Sequence, residues 1–267
     1  MIRTHVCAGA LMLLMYAMIG SATAGQTITV YAAGSLKSAL SDLAESYERA
    51  TGNKVSARYG ASGLLKDEIS KGAKADVFAS ANMEHPQALH DQNKSGPVIR
   101  FARNRMCALV KPELKVDSAN LLERMLDPAV KLGTSTPKAD PSGDYALEVF
   151  RKADAIKPGA QAVLEKKALQ LTGSAGSATP PAGRTVYGWH VAESRADLFL
   201  TYCTNALVAQ KENPGQQIVN LPDNLVVDAD YGLTVISGSS AAQRFADFIM
   251  APEGQKILTK HGFAPGK

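Results

Sequence analysis

The chain has 267 residues, 45% of them hydrophobic and 20% charged, with a formal net charge of +4. That balance suits one large or two smaller globular domains with a proper core, and it excludes a disordered chain. Only Arg100, Arg103 and Arg105 form a tight basic group, so nucleic acid is not indicated as a partner.

Residues 1–24 place Arg3 ahead of an apolar run that ends in Ala22-Thr23-Ala24. This order of charge, apolar run and small residues predicts a signal peptide cleaved after Ala24, and hence a periplasmic protein. The run is short for a membrane span, which needs about 20 apolar residues. Cys7 precedes it, so no cysteine stands at the cleavage point to carry a lipid. In an exported chain Cys107 and Cys203 can oxidise into one bridge or stay as two buried thiols, and their separation leaves both open.

From Thr27 to Tyr31 β-branched and polar residues alternate as in a strand, and Leu36, Ala39, Leu40, Leu43 and Tyr47 then recur at helical spacing up to a stop at Gly52. Lys54 to Tyr59 reads as a second strand, GASGLLKDEISKG as a turn into a second helix, ADVFASA as a third strand, and MEHPQALHDQ as a helix. This β-α-β-α-β order predicts parallel strands with right-handed crossovers. The turns carrying Ser35 and Ser62 then share the carboxyl edge of one sheet, where open α/β sheets bind ligands.

From Met106 to Val227 a second cycle follows: strand MCALV, helix SANLLERML, strand VKLGTS, turn PKADPSGDY and helix ALEVFRKA. The Gly, Ser and Pro-rich stretch TGSAGSATPPAGR, 172–184, reads as a mobile loop, followed by helical VYGWHVAESRA and strand DLFLTYCT. The segment from Tyr231 to Phe263 gives one strand and two helices. A last segment that rejoins the first half would make two lobes: residues 25–105 with 230–267, and residues 106–229.

Ser62 in YGASGLL has Leu64 where a hydrolase nucleophile elbow needs glycine. His85, His90, His190 and His261 form no zinc pattern, and no phosphate-binding glycine motif follows a strand. What recurs is a small hydroxyl or glycine at a helix start, in AGSLKSAL, GASGLLKDE and DPSGDYALE. Each alone is an ordinary helix cap worth about 1 kcal/mol. Converging on one cleft, helix N-termini and serine hydroxyls make a donor-only oxyanion site, poorly suited to an anion that keeps a proton. Tyr202, ending the apolar strand LFLTY, is either one more donor or a core tyrosine.

The segments AAGSLKSALSDLAESYERATGNKV, YGASGLLKDEISKGAKADVFASAN, DPSGDYALEVF and APEGQKILTKHGF together resemble the periplasmic molybdate-binding proteins that feed ABC importers. The resemblance covers nearly the whole mature chain. It implies a two-lobed, type II periplasmic binding fold, each lobe a mostly parallel sheet flanked by helices, with the ligand in the cleft. It implies a non-enzymatic monomer without cofactor that carries molybdate or tungstate to a permease and its ATPase. Ser35, Ser62, Ser142 and Tyr202 are the implied oxyanion donors, with a backbone N–H of Arg184, or alternatively Val186. All would bond the oxygens of the anion, with no direct ligation of the metal.

The approach SATPPAGRTVYGWHV departs from the family pattern. A side chain of Arg184 or Trp189 entering the cleft would favour another oxyanion or a small anionic organic solute. A secreted serine hydrolase built on Ser62 is the rival from another class.

Overall fold

The computed structural model describes residues 25–266, so the predicted signal peptide lies outside the described residues. Strand β1 (Thr27–Ala33) buries Ile28, Val30 and Ala32 on one face, the period-two pattern of a strand. A 3-10 turn at Gly34–Leu36 leads into α1 (Lys37–Thr51), whose Ala39, Leu40, Leu43 and Tyr47 form its buried stripe. The helix ends at Gly52, where φ is 72°. Strand β2 (Lys54–Gly60), α2 (Ser62–Ser70), β3 (Val77–Ser80) and α3 (Glu84–Asp91) complete the first cycle.

Strand β4 (Ile99–Val110) begins seven residues before the expected Met106. Its first half alternates arginines with buried Phe101 and Ala102, and the charges hid the strand signal. After it come α4 (Leu121–Leu126), β5 (Leu132–Ser135), α5 (Pro141–Ile156), α6 (Ala160–Lys167), β6 (Leu169–Thr172), α7 (Val186–Ala192), β7 (Leu198–Tyr202), α8 (Cys203–Glu212), β8 (Gln217–Asn220), β9 (Asp228–Val235), α9 (Ser240–Met250), α10 (Pro252–Lys260) and β10 (Ala264–Pro265). The helices α6 and α8 and the strands β6 and β8 were not legible from periodicity. Helix α7 is shorter than the reading VYGWHVAESRA.

Two sheets share β4. In the first the order is β2-β1-β3-β9-β4, with β10 also on β4; β1 runs parallel to β2 and β3, while β9 is antiparallel to both its neighbours. In the second β4 lies between β8 and β7, and β5 runs parallel to β7 and β6. Residues Ile99 to Arg105 of β4 pair with β9, and Met106 to Val110 pair with β7. The chain thus passes from the first sheet to the second at Arg105–Met106 and rejoins the first at Asp228. The basic group is used there: Arg100 and Arg105 pair with Asp230 and Asp228, and Arg103 bonds the Pro265 carbonyl.

The returning helices close the first lobe. Phe245 and Phe248 of α9 meet Tyr47 of α1 with ring centroids 5.0 and 5.4 Å apart. A fully buried Phe such as Phe245 stabilises such a contact by about 1.5–3 kcal/mol. In the second lobe Cys107 on β4 and Cys203 at the start of α8 are joined in a disulfide, with Cα atoms 4.9 Å apart.

Candidate functional site

The parallel register puts Ala33 opposite Gly60, so Ser35 and Ser62 each lie two residues past the paired ends of adjacent strands. In the second lobe the chain leaves the carboxyl ends of β5, β6 and β7 at Ser135, Thr172 and Tyr202. These ends face one another across a cavity of about 650 Å³ lined by Ser35, Ser62, Asp140, Val186, Tyr187 and Tyr202, among others. The cleft is drawn together: the Gly63 N–H donates to the Ala139 carbonyl at 2.9 Å, and the Tyr202 hydroxyl to the Ala81 carbonyl at 3.5 Å.

None of the three serines caps its own helix with its side chain. Ser35 Oγ is 2.8 Å from Tyr231 Oη on β9. Tyr231 Oη accepts from Asn104 Nδ2 at 3.2 Å, and the same amide donates to Thr204 Oγ1 at 2.8 Å. The Arg105 N–H donates to Asn104 Oδ1 at 2.9 Å, which fixes the orientation of that amide. Either hydroxyl can donate in this bond; the Ser35 proton is left for the cleft when Tyr231, already accepting from Asn104, gives its own proton to Ser35. Burial holds the Tyr231 phenol well above its ordinary pKa, so this proton is kept.

Ser62 is buried, and its Oγ accepts from the Ala81 N–H at 3.1 Å. Its hydroxyl proton is free to donate into the cavity, and its N–H opens α2 without an intrahelical partner. A hydrolase would need an imidazole on this oxygen; its partner here is a backbone amide. Tyr202 is buried too, and burial raises its pKa well above the ordinary value, so it also stays a donor.

Ser142 is placed differently from the expectation. It is fully buried and does not line the cavity, its N–H donates to Asp140 Oδ1 at 3.1 Å, and its hydroxyl makes no hydrogen bond of ordinary geometry among the described residues. Asp140 is the side chain that caps α5 and lines the cavity in front of it. Asp-Pro at a helix start is the N-cap signal that could have found it.

Arg184 lines the cavity, but its backbone N–H is not free for a ligand. Its N–H donates to the Pro181 carbonyl at 3.1 Å, and its guanidinium is held by Glu212 and Asn213. Although burial opposes it, the Thr185 N–H and Arg184 hold the Glu212 carboxyl below its usual range, so the pair is ionic. The Val186 N–H, the alternative donor, opens α7 with no protein partner among the described residues. Trp189 does not line the cavity; it is buried, and the Arg195 guanidinium lies 3.9 Å from its ring centroid. The stretch expected as a mobile loop supplies a wall of the cavity, through Gly173, Ser174, Ser177 and Thr179. Ser174 and Ser177 hold one another at 3.0 Å.

Residues 28–264 match the family model described as bacterial extracellular solute-binding protein. The chain is 33% identical over 88% of its length, and 98% of the relative's, to the uncharacterized protein PM1146 of Pasteurella multocida. It is 25% identical to the molybdate-binding protein ModA of Escherichia coli over 94% of both chains. The fold is shared with the sulfate-binding protein SubI of Mycobacterium tuberculosis: TM-score 0.73 and 20% identity over 90% of this chain and 87% of that one. Two lobes with a donor-lined cleft and a match along nearly all of the described chain lead to one assignment: this chain belongs to the bacterial extracellular solute-binding protein family.

Proposed function

We propose that this protein is an exported receptor that closes its two lobes on a small oxyanion and delivers it to an ABC importer, a permease with its ATPase. The observation that carries the reading is the convergence of neutral donors on one cavity. Ser35 and Ser62 approach from the first lobe, and Tyr202 and the Val186 N–H from the second. Each offers a hydrogen to an anion oxygen, Tyr202 by giving up its long bond to the Ala81 carbonyl, and Lys37, Asp140 and Arg184 line the same cavity beside these neutral donors. Hinge closure follows from a ligand that bonds both lobes at once.

Molybdate, with tungstate beside it, is the first ligand to test, because the sequence motifs and the ModA relative both support it. A second reading, another oxyanion or a small anionic organic solute, is favoured by the size of the cavity. About 650 Å³ falls within the roughly 300–1,000 Å³ typical of sites for organic ligands. Arg184 lines the cavity with its guanidinium held by Glu212 and Asn213, Trp189 does not line it, and Asp140 adds a carboxylate to the wall.

The test is a thermal-shift screen of the purified protein against oxyanions and small organic phosphates and carboxylates, repeated with Ser62→Ala. A stabilising hit that Ser62→Ala abolishes supports the reading. A hit that survives Ser35→Ala and Ser62→Ala together places the ligand elsewhere and sinks it.

A further inference from the structure

A carboxylate in an oxyanion site is a contradiction unless the ligand has something to give it. Asp140 lines the cavity, half-buried, at the second-lobe wall opposite Ser35 and Ser62. One of its oxygens accepts the Ser142 N–H. The other, Oδ2, accepts no hydrogen bond of ordinary geometry among the described residues, with the Ser135 hydroxyl nearby. It lies over Gly173, where a Cβ would come within 2.9 Å of it and which holds φ at +91°. Behind it the hydroxyls of Ser135 and Ser142 are fully buried and make no hydrogen bond of ordinary geometry among the described residues; both lie near the Tyr187 hydroxyl, and Ser135 near Asp140.

We propose that Asp140 is a specificity-determining residue: it accepts a hydrogen bond from the solute. The cleft thereby selects an oxyanion that presents a hydrogen-bond donor over a fully deprotonated dianion such as molybdate or sulfate. The donor is either a proton that the oxyanion itself retains or a hydroxyl on an organic group attached to it. The inference rests on the reading of the cleft as an oxyanion site.

The chemistry is one of matched valence. Ionised Asp140 is acceptor-only, so it meets an acceptor-only ligand oxygen with repulsion and a donor hydroxyl with a charge-assisted bond. Burial pushes its carboxyl up to about 6, which still leaves it ionised near neutrality. A proton-free dianion gains no bond from Asp140 and is repelled by it, against the attraction of Lys37 and Arg184, which also line the cavity. The volume leaves room for an organic group, and Ser174, Ser177 and Thr179 line the wall beyond it.

Calorimetric titration of the purified protein and Asp140→Asn at about pH 8 tests this with four probes. Molybdate and sulfate carry no proton; inorganic phosphate keeps one; glycerol 3-phosphate carries hydroxyls. Asparagine retains the helix cap, and Asp140→Ser is the second capping variant should Asn fail to fold. The wild type is expected to favour phosphate or glycerol 3-phosphate over molybdate and sulfate by about tenfold or more. Which of the two is bound more tightly identifies the source of the donor. Asp140→Asn is expected to shift the ratio about tenfold toward the proton-free ions, the scale of a bond to a charged group. A wild-type preference for molybdate or sulfate, or a ratio that Asp140→Asn leaves within about twofold, overturns the inference and leaves the oxyanion reading standing. Binding of none of the four by either protein overturns the oxyanion reading itself, and this inference with it.

Discussion

The Gly63 N–H of the first lobe and the Ala139 carbonyl of the second lie 2.9 Å apart, so the two lobes are hydrogen-bonded through backbone across the cleft. A Cβ at Gly63 would stand 2.3 Å from the Lys138 carbonyl oxygen and 2.7 Å from that of Ala139. Both obstacles are backbone, and relief comes from separating the lobes. Gly63→Ala is therefore expected to hold the protein open, lowering ligand affinity at least about tenfold at nearly unchanged melting temperature. Small-angle scattering with saturating ligand checks it: the wild type contracts and the variant does not.

A second prediction concerns Tyr231, which touches the site through Ser35. Tyr231→Phe removes the hydroxyl that orients Ser35 and leaves Asn104 Nδ2 with only Thr204. Affinity is expected to fall about fivefold to tenfold, near the 1 kcal/mol of one hydrogen bond. The melting temperature should fall too, since a buried amide loses a partner. Equal affinity for wild type and variant in a direct titration would remove Tyr231 from the site.

These two residues show where the sequence stops being legible. The alternation around β1, α1 and β2 placed Ser35 and Ser62 at one sheet edge, because period and turn chemistry are local signals. Tyr231 and Asn104 sit on the crossing strands, and their meeting depends on how β9 and β4 pair, which no local pattern encodes. The sequence reading took Ser142 in DPSGDYALE and passed over Asp140, whose Asp-Pro signal marks a cap but not a cavity wall, since its exposure depends on the turn that carries it. Arg184 reads in the sequence as a backbone donor or a side chain entering the cleft; its partner Glu212 is 28 residues away on α8.

Asp140 also predicts a pH dependence of stability. Its carboxyl is raised from 3.8 to about 6, first by burial and then by the neighbouring Asp144, against the Ser142 N–H and the nearby Ser135 hydroxyl. A raised carboxyl favours the folded state fully below the unfolded value and loses that contribution as pH rises through the folded value. The difference is at most on the order of 3 kcal/mol. In ligand-free protein Asp140→Asn should raise the melting temperature above pH 6 and leave it nearly unchanged near pH 4, as differential scanning calorimetry would show. A gain that is the same at both pH values contradicts the assignment.

The disulfide supports the site as well as the fold. Cys203 follows Tyr202 directly, and Met106 and Cys107 pair with Tyr202 and Thr201. Closing a loop of 96 residues constrains the unfolded chain by roughly 4–5 kcal/mol in the chain-entropy account. Cys107→Ala with Cys203→Ala should lower the melting temperature by several degrees and weaken ligand binding severalfold. A doubly substituted protein that melts like the wild type would show the bridge to be dispensable.

The most direct test of the central claim is a calorimetric titration of the purified, ligand-free protein with molybdate, tungstate, sulfate, phosphate and small organic phosphates, alongside Ser35→Ala and Ser62→Ala. The account predicts one oxyanion bound at a single site per chain, weakened by each serine substitution at unchanged fold. Absence of binding heat and of any thermal shift across the panel, in protein shown to be folded, would contradict it.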